Sequence, residues 1–590
     1  MPGLLGLLPL WSLAALPPQL VGIQPLALAP PLTPPPPLAP QGVSRDQRGT
    51  RISINGRLQQ ARWLWQGQGG ELWLPLEVLQ GQLGVSSRDR GAGTLELEWF
   101  GQRLQVAPAR QRSLDDEVAV PAGELLRAAG VGIESAGPLL RLSLPVSALE
   151  RIRLGGQGDS RRVVLDLTGP VLVRSGDGRL LVGVEANGEQ LQQLQGLGLE
   201  PNQSQGWLQL RGEPRLLTLA SPYRLVLDLG PGSSTAKGPE PSAPSALDPR
   251  LQALLGSGVQ LERGVQRLGS QRLLVHSVRL DPRSTPIDLR PLNRPDGMQG
   301  LSSLSQLARQ EQALIAINGG YFNRVTRLPL GALRDNGRWL SGPILNRGAM
   351  GWSQASLPSF GRLSLEEVVI DPSGQRWPVN TLNSGYLQKG LSRYTADWGR
   401  SYQAISGQEM GVLMRHGSVQ ERYDFGQLNG GVPLQNGDVL LVARGGLVLP
   451  WGPGDRLTLS SRVNDSVGQQ PFVVGGGPLL LQNGRIVLNG TAEGFSSGFL
   501  SQGAPRTVVG SDGRQLWLIT LQGVDDAGPT LDESARLLQQ LGLRDALNLD
   551  GGSSTGLVLG NQHTVKGRGV AAAVHNGLGL IPRQLATGSP

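Results

Sequence analysis

Asp550 stands in the stretch NLDGGSSTGLV (548–558), between Asn548 and Gly551-Gly552, with Ser553, Ser554 and Thr555 following. A lone carboxylate in such a loop suits a nucleophile, a general base or a stabiliser of positive charge. Ser554 and Thr555 can hydrogen-bond phosphate or sugar, and Asn548 can bind hydroxyls without adding charge. The stretch AINGGYF (316–322) has a similar shape, with Asn318 ahead of Gly319-Gly320. Paired glycines let backbone N–H groups approach a ligand, although an ordinary tight turn uses the same residues. Between these loops lie VVGGGPLLLQNGRI (473–486), which includes Gly476 and Gly477, and Arg506-Thr507 at the start of a hairpin (503–523). An arginine beside Gly-rich loops can hold a phosphate with two hydrogen bonds, or serve in a structural ion pair.

Several chemistries are disfavoured. GSSTG (552–556) matches the serine-hydrolase elbow G-x-S-x-G, but that turn needs a helix after it, and LVLG reads as a strand. No Asp or Glu follows Asp550 to complete the acid-after-serine order. The chain lacks G-x-x-x-x-G-K-[ST], so it has no phosphate loop of that type. It has no Cys, and its four histidines show no zinc-binding spacing. His575 reads as a satisfied strand residue. The sequence assigns no metal ligand and requires no cofactor, while leaving a divalent cation open.

The elements that must position these residues are legible. SSLSQLARQEQ begins with Ser303-x-x-Gln306 and TLDESARLLQQLG with Thr530-x-x-Glu533, both capping boxes that predict helices. Each is followed by a short apolar strand, ALIAIN or ALNLD, and then Gly-Gly. Two units of helix, buried strand, polar residue and Gly-Gly therefore lie in one C-terminal region, 251–590.

AINGGYF, GGGPLL, PRTVVG, NLDGGSST and GRGVAAAVHNGLGLI occur in an order that resembles the phosphodiester glycosidase family, which includes the lysosomal uncovering enzyme. The resemblance covers about 330 residues. It implies an α/β (α+β) catalytic domain with a central mixed sheet, acting on a glycan or glycosyl phosphate by hydrolysis of a sugar-1-phosphodiester. Because phosphate leaves readily, stabilising the departing anion matters more than protonating it. Arg506, Arg568 and the loop amides suit that role, with Asp550, Arg506 and Asn318 as the catalytic candidates. Gly319, Gly320, Gly476, Gly477, Thr507, Asn548, Gly551, Gly552, Ser554, Thr555 and Arg568 are the expected substrate contacts. VNTLNSGYLQKGLSRYTADWG (379–399) resembles the family's Asn-rich segment and adds Asn380, Asn383, Tyr394, Thr395 and Trp398 to the surroundings of the site. Glu493 and Asp465 are candidate second carboxylates. The family usually has DGGGS where this chain has Ser553, which marks that position as particular to this protein.

The preceding chain reads as two small mainly-β domains. Residues 50–148 alternate apolar and polar in short runs, the pattern of half-buried strands, with two short helices each ended by Gly. They resemble the stalk domain named after the copper amine oxidase N-terminus. Residues 150–232 contain the related strands RRVVLDLTGP and YRLVLDLGPG and resemble the AMIN β-sandwich of envelope proteins. A Ser/Pro/Gly-rich linker follows at 233–250. At the N-terminus, 1–29 reads as an export signal and 30–49 as a Pro-rich spacer, with no spanning helix expected after signal removal.

The 590 residues carry a net charge of +8, almost wholly from scattered arginines. Scattered charge argues against nucleic acid and suits anionic polysaccharide. The expectation is an exported hydrolase of the periplasm or cell envelope, active in envelope or exopolysaccharide metabolism, whose N-terminal domains hold cell-wall polysaccharide. The alternative is a non-catalytic polysaccharide-binding envelope protein.

Overall fold

The computed structural model describes residues 46–583, except 67–69, 91–93, 115–116, 156–161, 177–178, 212–213, 230–248, 525–527, 561 and 569–570. The expected export signal, most of the Pro-rich spacer and nearly all of the 233–250 linker lie outside the described residues. The described chain is multidomain and mostly β, with short helices.

Residues 47–228 form a seven-stranded sheet, a three-stranded sheet and two four-stranded sheets. Alternation becomes burial as expected: Leu95–Trp99 points Leu95, Leu97 and Trp99 inward. One hydrophobic core runs from Ile52 to Leu227 across the expected boundary at 148–150. The Phe100 N–H donates to Thr218 Oγ1 at 2.9 Å, tying the two parts further. Both predicted short helices are present, at Leu76–Leu83 and Gly123–Ala128.

In the C-terminal part, two antiparallel sheets carry the motif loops. The first is a seven-stranded sheet containing Leu516–Gly523, Arg506–Ser511, Asp545–Asn548 and Leu479–Gln482 side by side. The second has five strands, with Ile315–Asn318 between Gly577–Pro582 and Gly556–Leu559. The Asp550 loop is thus the crossover from one sheet to the other. Both predicted helices form. Ser303 caps Leu304–Gln310, and Thr530 with Glu533 makes a reciprocal capping box on Leu531–Gln540.

The expectation of an α/β domain with a central mixed sheet fits less well. Tight hairpins favour antiparallel pairing, and both motif-bearing sheets are antiparallel throughout. A mixed sheet does occur in the C-terminal part, but it is a different one, where Arg376–Leu382 runs parallel to Gly390–Thr395. Its polar centre is Arg444, which donates to Glu409 Oε1 at 2.8 Å, Tyr402 at 2.8 Å and Tyr394 at 3.0 Å. All four side chains are buried.

Removing one partner of such a pair leaves an uncompensated charge in the core. Glu409→Leu is therefore expected to destabilise the protein by roughly 3–5 kcal/mol, read as a lowered urea midpoint; an unchanged midpoint would contradict this account.

Candidate functional site

Asn318 ends its strand with a fully buried amide. Its Oδ1 accepts from Thr507 Oγ1 at 2.7 Å and from the Gly556 N–H at 3.0 Å, and its Nδ2 donates to the Asp550 carbonyl at 2.6 Å. The Asp550 N–H donates to the Gly319 carbonyl at 3.0 Å. The two Gly-Gly loops are therefore stitched to one another, and Thr507 and Gly556 bring in both sheets. Asn548 is likewise buried, its Nδ2 donating to Tyr321 Oη at 2.7 Å and to the Gly477 carbonyl at 3.0 Å.

The Asp550 carboxylate faces Arg324, whose Nη2 lies 3.2 Å from both oxygens. Arg324 Nη1 also donates to Ser553 Oγ at 3.0 Å. Sequence reasoning missed Arg324, although it follows Gly319-Gly320 by only a few residues. The logic applied to Arg506, an arginine beside a Gly-rich loop, selects it equally.

The second surprise comes from the N-terminal part. Glu77, on the helix Leu76–Val78, accepts a hydrogen bond from Ser553 Oγ and lies 3.6 Å from Arg324. Glu117, at the start of the strand Glu117–Pro121, pairs with Arg568 at 2.7 Å, and Arg568 Nε lies 3.7 Å from Glu77. Burial pushes the Glu117 carboxyl up to about 8; Arg568 opposes this, while the charge of Glu77 and a hydrogen bond with it add to the rise. Ser553 is therefore a place where the N-terminal part meets the Asp550 loop. A cleft of about 330 Å³ opens beside this junction, lined by Glu77, Gln80, Phe322, Arg324, Arg327 and Ser553 among others.

Other expected residues are placed differently. Arg506 is buried beneath Phe499 and donates to the carbonyls of Pro529 and Gln502. Burial lowers its pKa to about 10. It lies next to Gly551, where a Cβ would come 3.8 Å from its Nη1. Five of the expected phosphate-facing amides are engaged internally. Gly319 and Gly320 donate to Asn576, Gly476 to Gly348, Gly477 to Asn548 and Gly552 to Pro505. The first pair are glycines because of close packing: a Cβ on Gly319 would lie 2.0 Å from Asn576 Oδ1, and one on Gly320 2.3 Å from the Gly475 carbonyl. The Gly319-Gly320 turn thus packs against Asn576 and Gly475 instead of offering these N–H groups outward. Ser554 Oγ and Thr555 Oγ1 are buried and, among the described residues, lack hydrogen-bond partners.

Asn380 donates to the Lys389 carbonyl, and Asn383 bonds Leu340 and Thr395. Tyr394 and Trp398 pack with Tyr402 around Arg444. These contacts hold the mixed sheet together and do not join the Asp550 cluster. Glu493 is fully buried and engaged by Gly348, Leu479 and Arg362, and Asp465 caps the turn Ser466–Gln469. The acids beside Asp550 are instead Glu77 and Glu117. His575 meets the Met298 carbonyl at 2.8 Å, and burial lowers its pKa to about 4. A strand, Gly556–Leu559, follows the GSSTG turn, as the reading against a hydrolase elbow expects. Among the described residues no group of three acidic or imidazole side chains is placed to hold a metal ion.

On a mostly β scaffold, a carboxylate held by arginine thus stands at the join of two loops beside a cleft. Residues 399–581 match the model of the phosphodiester glycosidase family. The crystal structure of a hypothetical protein from Synechocystis is 32% identical, covering 90% of this chain and 99% of that one, with a TM-score of 0.55. The catalytic domain of zebrafish N-acetylglucosamine-1-phosphodiester alpha-N-acetylglucosaminidase, auto-inhibited by its pro-peptide, is 16% identical. That comparison covers 55% of this chain and 82% of the zebrafish one, at a TM-score of 0.30. No curated protein matches the chain. The chain thus carries a phosphodiester glycosidase family domain over residues 399–581. Asn318 and Arg324 precede the matched stretch, and the fold brings them to it.

Asn318→Ala would strand the Thr507 hydroxyl and the Gly556 N–H in the core. A loss of roughly 2–5 kcal/mol is expected, measured by chemical denaturation. Glu117 supplies a pH prediction. Its pKa is raised in the folded state, so its stabilising contribution is full below about 4.5 and is lost as pH rises through about 8. Glu77, Arg324 and Arg568 are the charged groups around it. Glu117→Gln should flatten the fall in melting temperature across that window; an unaltered pH profile would show that the carboxyl does not titrate there.

Proposed function

We propose that this protein hydrolyses the glycosidic bond of a sugar-1-phosphodiester at the cleft beside Asp550. The observation that carries the proposal is the Asp550–Arg324–Ser553 cluster, assembled where the two Gly-Gly loops meet. In this reading water attacks the anomeric carbon, Asp550 accepts its proton, and the C1–O bond breaks with its electrons going to the phosphate. The departing phosphate monoester is anionic and needs nearby cations more than an acid. Arg324 and Arg568 are those cations. Their present partners, Glu77 and Glu117, are carboxylates standing where a substrate anion would bind.

We further propose that the chain is exported to the periplasm or cell envelope and acts in envelope or exopolysaccharide metabolism. The stalk-like 50–148 and AMIN-like 150–232 regions would hold envelope polysaccharide. Among the described residues no helix is long and apolar enough to cross a membrane. A second reading is a non-catalytic glycan-binding envelope protein. It draws on the closure of the site: Asp550 is 5% exposed and Ser553 2%, with Glu77 seated over them.

The deciding measurement is release of phosphate monoester from a panel of glycosyl phosphodiesters by the full chain. Turnover is expected, with Asp550→Asn lowering kcat by about a thousandfold or more while the fold is retained. Absence of turnover across the panel would favour the binding protein.

A further inference from the structure

The cleft of about 330 Å³ beside Asp550 has walls from both parts of the chain. Leu76, Leu95 and Val118 come from the N-terminal part, and Leu301, Phe322 and Ala572 from the C-terminal part. The volume falls at the small end of the range of ligand pockets. Amides in the lining are already engaged by the protein. Gln80 Nε2 donates to Ser87 Oγ at 2.6 Å, and Gln111 Nε2 to the Val106 carbonyl at 3.2 Å. A sugar or nucleoside needs polar groups placed around its hydroxyls. An apolar chain needs none, and it gains by leaving water.

The charge of the lining is one-sided, with two arginines, Arg324 and Arg327, against one acid, Glu77. Both arginines belong to the turn that follows Gly319-Gly320. Asn323 Oδ1 accepts from the N–H groups of Val325 and Thr326, each at 2.9 Å, and the Asn323 carbonyl accepts from the Arg327 N–H at 2.7 Å. This turn holds Arg327 in the left-handed region, at φ +60°. A residue other than glycine is strained there, and such residues cluster at active sites and ligand clamps. Arg327 is only partly buried. The Arg324 guanidinium lies 4.9 Å from the centre of the Phe322 ring, so cation and apolar wall are in contact. Glu77 is itself engaged by Ser553 and Arg324. An apolar cleft with a cationic end matches an anion that carries an apolar chain.

We infer that this cleft binds the phosphate ester of an apolar alcohol, with the alkyl chain between the two walls and the phosphate at Arg327 and Arg324. The inference rests on the hydrolase reading only for its place in the reaction. There, the group that departs with the electrons of the C1–O bond is an alkyl phosphate, and the sugar takes the hydroxyl of water. The substrate is then an amphiphile, a sugar joined through phosphate to an apolar alcohol.

Calorimetric titration of the full chain with octyl phosphate, methyl phosphate and 1-octanol tests the site. Octyl phosphate is expected to bind at least about tenfold more tightly than either of the others, a gain over methyl phosphate that about two buried methylenes supply. Leu301→Gln, at a partly buried wall position, should weaken octyl phosphate by about threefold or more and leave methyl phosphate unchanged. Arg327→Met should weaken octyl phosphate by a similar factor and leave 1-octanol unchanged. Failure of octyl phosphate to bind overturns the inference, as does equal binding of methyl phosphate or of 1-octanol. So does octyl phosphate binding that is unaltered in both variants, or in the one that folds. Selective binding of octyl phosphate without turnover of any glycosyl phosphodiester, octyl diesters included, supports the site and overturns the hydrolase reading.

Discussion

The site depends on one side-chain amide. Asn318 accepts from Thr507 in one sheet and from Gly556 in another, and donates to the carbonyl of Asp550 between them. An amide is suited to this because it offers an acceptor with two lone pairs and two donors on one rigid plane. An aspartate here would lack the donor to the Asp550 carbonyl, and an apolar residue would leave three buried polar groups unmatched. Because the Asp550 loop is a crossover between sheets, its position is set by both at once. The close approach of Asn576 and of the Gly475 carbonyl then excludes a Cβ at Gly319 and Gly320.

On this frame sits a charge cluster drawn from distant parts of the chain. Arg324 joins Asp550 to Ser553, and Glu77 and Glu117 come from the N-terminal part to meet Ser553, Arg324 and Arg568. The cluster is buried, so each charge needs its partner. A β region that reads from sequence as a stalk-like domain therefore supplies two acids to the cluster. The hydroxyl of Ser553 is what Glu77 reaches.

Much of the local structure was legible. The capping boxes at Ser303 and Thr530, the short apolar strands after them and the Gly-ended helices near 80 and 126 follow from rules acting over a few residues. The pairing of AINGGYF with NLDGGSST as similar units was also readable, since each has its own helix–strand pattern. The charge cluster was not. Arg324 and Arg506 both flank a Gly-rich loop, and nothing in their neighbours distinguishes the one that faces a carboxylate from the one turned to the Pro529 and Gln502 carbonyls. Asn383 and Tyr394 share the composition of site residues, but their partners lie within the mixed sheet.

The sequence by itself determined the elements, the family resemblance and the candidacy of Asp550, because turns, caps and periodicity are short-range and the motifs are contiguous. Only the tertiary structure decided which groups Asp550 meets, that the glycine amides turn inward, and that Glu77 and Glu117 belong beside it. The last contact joins residues 476 positions apart. Hydrogen bonds and ion pairs of that span depend on how whole sheets pack, and sheet packing is set by surface complementarity distributed over the entire chain.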